Sequence, residues 1–206
     1  MGAGRGHAGP GGPGAGPDGA GAVKGHTVVV GVCGSVAAFK AAALVSALRR
    51  EGASVWVALT RSGRKFVGEA TLRALSDHPV LVNLWDPQGP EAEPHVALGE
   101  RAELVVVAPA TAHTLAKLAV GLADDPVSAV VLSTRAPVLL APAMAEAMWL
   151  HPVTQRNVQT LRDMGYRFVG PHYGRLASGR EGWGRMAEPE EILEAARALL
   201  QPQPQG

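Results

Sequence analysis

The sequence predicts an α/β domain built on a doubly wound parallel sheet. Three observations predict it. Four apolar runs are continuous rather than alternating, as strands covered on both faces are. Helix-like stretches separate them, and strand–helix alternation implies parallel strands joined by right-handed crossovers. Apolar residues make up 47% of 206. That composition suits one real core and excludes general disorder, and the length is too short for two full domains.

The elements follow in order. The strand runs are Thr27–Cys33, Ser54–Leu59, Leu104–Ala108 and Pro137–Ala141, with Tyr166–Val169 as a shorter fifth. Ser35 is placed to cap a helix over Ala37–Arg50, with Gly52 just past its end. Ala112–Leu122 and Val153–Met164 have helical spacing, the second ending before Gly165. Glu188–Leu200 closes the fold, acidic early and with Arg197 late, as the helix dipole favours. The expected architecture is a Rossmann- or flavodoxin-like three-layer sandwich.

Residues 1–25 hold 11 of the 26 glycines together with Pro10, Pro13 and Pro17, and read as a disordered tail. That tail carries Arg5, Lys24 and Asp18, so of 19 basic and 18 acidic residues the remainder holds 17 of each. The folded unit is expected over 26–200, with 201–206 a short second tail. A net charge of +1 gives no broad pull on nucleic acid or anionic membrane. A single cysteine, Cys33, excludes an internal disulfide and an all-cysteine zinc site, and no metal is expected. The longest apolar runs, Leu104–Ala112 and Ala136–Ala145, contain proline and fall far short of the roughly 20 residues of a spanning helix. No signal-type segment opens the chain, and a cytoplasmic location is expected.

Open parallel sheets bind ligands at the carboxyl ends of their strands, so four loops matter: 33–36, 60–63, 108–114 and 141–149. In the first, Gly34-Ser35-Val36 opens a helix directly after a buried strand. Helix N-terminal N–H groups and a serine hydroxyl suit a phosphate, although the same residues also make an ordinary capped turn. Glycine spacing of the dinucleotide or Walker type is missing. Thr60-Arg61-Ser62 follows the second strand in the same way.

The third loop reads Ala108-Pro109-Ala110-Thr111-Ala112-His113-Thr114, in a longer APATAHTLAKLAVGLADD. The fourth reads PAMAEAMW over 142–149, and further on come Gly174-Arg175-Leu176-Ala177-Ser178-Gly179 and Gly184-Arg185-Met186-Ala187-Glu188-Pro189. In this order the chain resembles the flavin-dependent cysteine decarboxylases, the phosphopantothenoylcysteine decarboxylases of coenzyme A biosynthesis in particular, from about Thr27 to the last helix.

The resemblance implies an FMN site and an FMN-dependent decarboxylase, a lyase. Gly34, Ser35 and Val36 match the family's first phosphate loop. Thr60, Arg61 and Ser62 match a second flavin-contacting loop. Thr111, Ala112, His113 and Thr114 match a third, with His113 where the family usually has asparagine. Ala143 matches a backbone position beside the flavin ring. His95, in EPHVALGERAELVVV, matches the catalytic histidine, a residue suited to acid–base work near neutral pH. Arg175, Ala177, Ser178 and Met186 match the substrate-side flap, and Trp149 is retained. The implied assembly is a homotrimer or homododecamer with active sites between subunits. The implied substrate is a small molecule or peptide with a cysteine carboxylate. Many bacterial members are fused to a ligase, and no ligase segment is expected here.

Two positions depart from the family. Ala145 replaces an asparagine understood to hold the substrate carboxylate, and alanine has no donor. Ser178 replaces a cysteine understood to supply a proton when the enethiol is reduced, and a hydroxyl is far less acidic than a thiol of pKa about 8.5. Three readings follow. The chain is a decarboxylase that orients its substrate differently, with the oxidised enethiol as one end point. Or it is a flavoprotein of this fold with another redox reaction. Or it is an incomplete subunit that needs a partner chain.

Overall fold

The computed structural model describes residues 1, 22–85 and 92–201. β1 (Thr27–Val32) leads through a 3₁₀ turn (Val36–Ala38) into α1 (Phe39–Arg50). β2 (Ser54–Leu59) is followed by a second 3₁₀ turn (Gly63–Lys65), α2 (Glu69–Ser76) and β3 (Val80–Leu81). α3 (Pro94–Arg101) precedes β4 (Leu104–Ala110), then come α4 (Ala112–Val120) and α5 (Pro126–Ser133). β5 (Val138–Pro142) leads to the single turn α6 (Glu146–Trp149), α7 (Pro152–Asp163) and β6 (Arg167–Phe168). A hairpin of β7 (His172–Arg175) and β8 (Glu181–Arg185) comes before α8 (Pro189–Leu200).

Strands β1 to β6 form one sheet in the order 3-2-1-4-5-6, and every neighbouring pair is parallel. This is the expected doubly wound sheet, flavodoxin-like in its layers. The chain winds outward one way from β1 and the other way from β4, which are neighbours. Loops after adjacent strands therefore diverge between β1 and β4 and leave a crevice at their carboxyl ends.

Alternation along the strands makes the three layers. Val28, Val30 and Val32 of β1 are fully buried in one core with Leu44 and Leu48 of α1 and Ile192 of α8. Val29 and Cys33 point the other way, into a second core with Leu115 of α4, Val130 of α5 and Leu161 of α7. Each such apolar side chain contributes about 1.5–3 kcal/mol on burial, which holds the helices on the sheet. Arg197 of α8 pairs with Glu51 at the end of α1 and locks those two helices side by side.

Several boundaries shift for physical reasons. The 3₁₀ turn takes the start of the expected Ala37–Arg50 helix. α4 ends at Val120, short of Leu122, because Gly121 turns left-handed at φ 73°. The turn at 22–25 belongs to the folded unit: Val23 is fully buried and Gly25 N–H donates to the Gly52 carbonyl at 3.0 Å. The fold thus begins a few residues before 26. The rest of the expected N-terminal tail, and 202–206, lie outside the described residues. β3, α2, α3, α5, α6 and the β7–β8 hairpin carry no expectation from the sequence, because each is short or lacks a clean apolar period.

Candidate active site

A cleft of about 590 Å³ opens at the carboxyl edge of the sheet, where the winding reverses. That volume lies within the roughly 300–1,000 Å³ of small-molecule sites. Three of its walls come from the loops after β1, β2 and β4. Gly34 and Ser35 lie opposite Thr60, Arg61 and Ser62, with Thr111 to Thr114 beside them and Ala143 below. The loops touch closely: a Cβ on Gly34 would sit 2.5 Å from the Ser62 Cβ. Only glycine lets these two loops approach.

Local chemistry fixes each wall. Ser35 caps the 3₁₀ turn, its hydroxyl accepting from Ala37 N–H at 3.2 Å. The Thr60 hydroxyl accepts from Gly63 N–H at 3.0 Å and donates to the Val32 carbonyl at 3.3 Å, tying β2's loop to β1. Arg61 stands exposed at the mouth. Thr111 caps α4 and accepts from Thr114 N–H at 3.2 Å. The N–H groups of Ala112 and His113 in that first turn have no acceptor within the helix. They and the positive end of α4 favour an anion in the cleft.

Beneath the cleft the Thr114 hydroxyl donates to Cys33 Sγ at 3.1 Å. Burial pushes the Cys33 thiol up to about 12, so it stays neutral there. Cys33 therefore lines the cleft as a small apolar floor rather than as an acid.

One group of wall residues was not singled out from the sequence. Lys117 is 9% exposed, lines the cleft, and bonds Asp124 and Asp125. Burial works against its charge, but the two carboxylates outweigh burial and raise its pKa. Asp125 also accepts from Val127 and Ser128 N–H at 2.9 and 3.0 Å and caps α5. The lysine thus holds the loop between α4 and α5 against the cleft. Its signal was present in APATAHTLAKLAVGLADD, as a lysine in the last turn of a helix eight residues before an N-capping aspartate.

A second cleft of about 490 Å³ adjoins the first. Ser35, Ala143 and Met144 line both and form the boundary between them. Ala145 lines it together with Arg175, Ala177 and Ser178 of the hairpin and Met186 just after it. The five substrate-side positions named from the sequence therefore meet in one place. Val36 lines this second cleft, while Gly34 of the same loop lines the first and Ser35 lines both. Lys40, bonded to Glu188 at 2.9 Å, also lines it and carried no sequence signal beyond its charge.

His95 lines neither cleft. It sits in the first turn of α3, edge-on to the ring of Trp85 at 6.3 Å. Its Nδ1 is buried without a hydrogen-bond partner among the described residues. α3 packs against α5, and both share the core of Val29 and Cys33, whereas Met186 after the hairpin belongs to the other core.

The family model for flavoproteins matches residues 20–201. The chain belongs to the flavoprotein family. Family membership agrees with a cleft that offers N–H donors to an anion and small residues to a flat ring. The bifunctional coenzyme A biosynthesis protein CoaBC of Mycobacterium tuberculosis is 48% identical over 174 residues, covering 84% of this chain and 41% of that protein. The CoaBC of Escherichia coli K12 is 41% identical over 180 residues, covering 87% and 44%. The chain spans about two-fifths of the length of these relatives. Among solved structures, the FMN-dependent cysteine decarboxylase SpaF superposes with a TM-score of 0.75 at 33% identity, covering 86% of this chain and 97% of that one. A PPC decarboxylase mutant with serine in place of cysteine, complexed with pantothenoylaminoethenethiol, superposes with a TM-score of 0.76 at 31% identity, covering 84% and 97%.

Proposed function

We propose that this flavoprotein binds FMN in the 590 Å³ cleft and decarboxylates a cysteine-type substrate held in the adjoining one. The observation that carries the reading is the shared wall. Ala143 and Met144 border both clefts, so a ring seated against them in the first would adjoin a substrate in the second. Bound FMN supplies a two-electron acceptor at that boundary. The relatives that act in coenzyme A biosynthesis and the cysteine decarboxylase neighbours support the same chemistry.

The chain's own residues have definite parts. Gly34, Ser35 and the first turn of α4 hold the phosphate through N–H groups and hydroxyls. Thr60 shapes its loop, and Arg61 and Ser62 close the mouth. Ala143 leaves room for the ring. Arg175 offers a cation to the substrate from the hairpin, a role that Ala145 does not fill. His95 is the acid–base group.

The end product in this reading is the enethiol. Ser178 stands where the flap cysteine is expected, and its hydroxyl is a far weaker acid than a thiol. Cys33 does not replace that cysteine, because it is 1% exposed in the other cleft with its thiol pushed up to about 12. A neighbour that is itself a cysteine-to-serine mutant is complexed with an ethenethiol compound, which supports this end point.

The position of His95 favours a site completed by a second copy of this chain. A homotrimer, or a dodecamer of four such trimers, supplies each cleft with the histidine of a neighbour. A cytoplasmic location belongs to the same reading, on the strength of the metabolic relatives.

The test is mass spectrometry of anaerobic reactions of the flavin-loaded protein with phosphopantothenoylcysteine and with a cysteine-terminated peptide. Loss of carbon dioxide with a product two hydrogens short of the saturated thiol is expected. Yellow protein that leaves both substrates intact would overturn the decarboxylase reading.

A further inference from the structure

We propose that Glu146 is a positioning residue that sets the hairpin over the substrate cleft. The proposal rests on the reading of the second cleft as the substrate site. Glu146 opens α6, directly after Ala145. Its Oε1 accepts a hydrogen bond from the backbone N–H of Trp183 in β8 at 2.9 Å. Its carboxylate lies flat on the backbone of Gly182, where an added Cβ would come within 2.8 Å of Cδ and Oε1. Beside it, Met144 N–H donates to the Gly184 carbonyl at 3.0 Å. β8 is thereby docked along 144–146 by one backbone bond and one side chain.

The other edge of β8 pairs with β7, and Arg175 lies opposite Glu181 in that register. Moving β8 therefore moves Arg175 and the turn that carries Ala177 and Ser178. Those residues line the cleft together with Met144 and Ala145. Glu146 ties the hairpin to the segment that carries Ala145 and so sets their spacing, without lining the cleft itself. A charged acceptor makes the stronger kind of hydrogen bond, and a lost one is felt as roughly a tenfold change or more.

The measurements are hydrogen–deuterium exchange of the peptide containing Trp183 in the flavin-loaded protein, and steady-state kinetics on the cysteine substrate. Glu146→Ala is expected to speed exchange in that peptide about tenfold and to raise KM by a similar factor. Flavin content, kcat and exchange in β4 stay as in the parent. Glu146→Gln keeps an acceptor oxygen and restores both values. Gly182→Ala, which pushes the carboxylate aside without touching Glu146, reproduces the alanine phenotype. Unchanged exchange in Glu146→Ala, or flavin loss, or a fall in kcat at constant KM, would overturn the proposal. If the parent protein turns over no cysteine substrate, the proposed reaction fails, and the exchange experiment alone decides the role of Glu146.

Discussion

The hydroxyl of Thr114 donates to the sulfur of Cys33 at 3.1 Å, joining the first turn of α4 to the end of β1 across the point where the sheet reverses its winding. Thr111 and Thr114 share a second contact at 3.1 Å between their hydroxyls. A short chain of hydroxyl contacts beneath the first cleft therefore ends on a buried, neutral thiol.

That thiol makes stability depend on alkaline pH. Its folded pKa of about 12 lies above the ordinary 9.0, so the unfolded chain loses this proton first. Stability from this group is full below pH 9 and is lost as pH rises towards 12. Urea melts of the parent should weaken over that window, and Cys33→Ala should remove that part of the slope. Native protein should also resist thiol alkylation at pH 8, which mass spectrometry reads directly.

Lys117 neutralises Asp124 and Asp125 in a site where its side chain is 10% exposed. Lys117→Met leaves the partly buried Asp125 without its cation and should lower stability, while Asp124, 54% exposed, regains water. The hydrogen bond from Lys117 holds the Asp124 carboxyl below its usual range. Its contribution is present above that range and is lost as pH falls through it. Urea melts at pH 7 and in the carboxylate range should show a drop in the parent that is smaller in Lys117→Met.

In the proposed phosphate site, Ser35→Asp would place a negative charge against the cofactor phosphate. Two like charges about 4 Å apart repel by about 1 kcal/mol in water and about 4 kcal/mol near a protein surface. The upper figure is close to a thousandfold loss of affinity. The purified variant should be colourless, with unchanged far-ultraviolet circular dichroism. Full flavin content would remove Ser35 from the phosphate site.

His95→Asn should keep flavin and lose decarboxylation. Because His95 lies outside the clefts of its own chain, two dead variants should rescue each other. In the proposed assembly, co-expressed Ser35→Asp and His95→Asn chains would mix, and some sites would pair an intact cleft with an intact histidine. Partial activity is expected, and none at all would place the acid–base group elsewhere.

Gly184 has φ 124°, and a Cβ there would sit 2.1 Å from the Met144 carbonyl oxygen. Gly184→Ala should detach the hairpin and sharply raise KM while the flavin stays bound. Limited proteolysis between Arg175 and Arg180 should speed up in parallel.

The sequence by itself determined the sheet and the edge that matters. Val28 to Val32 and Leu104 to Val107 are apolar on both faces, which only a covered parallel strand tolerates. Small and hydroxyl residues at 34–35, 60–62 and 111–114 follow those strands directly, so local order put them at one edge. Tertiary structure decided what local order does not encode. The 3-2-1-4-5-6 winding put Lys117 and Asp125 into a cleft wall, although in sequence they read as a helix end and a cap. Packing of β8 on 144–146 brought Ser178 opposite Ala145, 33 positions away in the chain. Short-range pattern fixes which face of an element is buried. Contacts between distant segments depend on how whole elements stack, and no single stretch of residues carries that information.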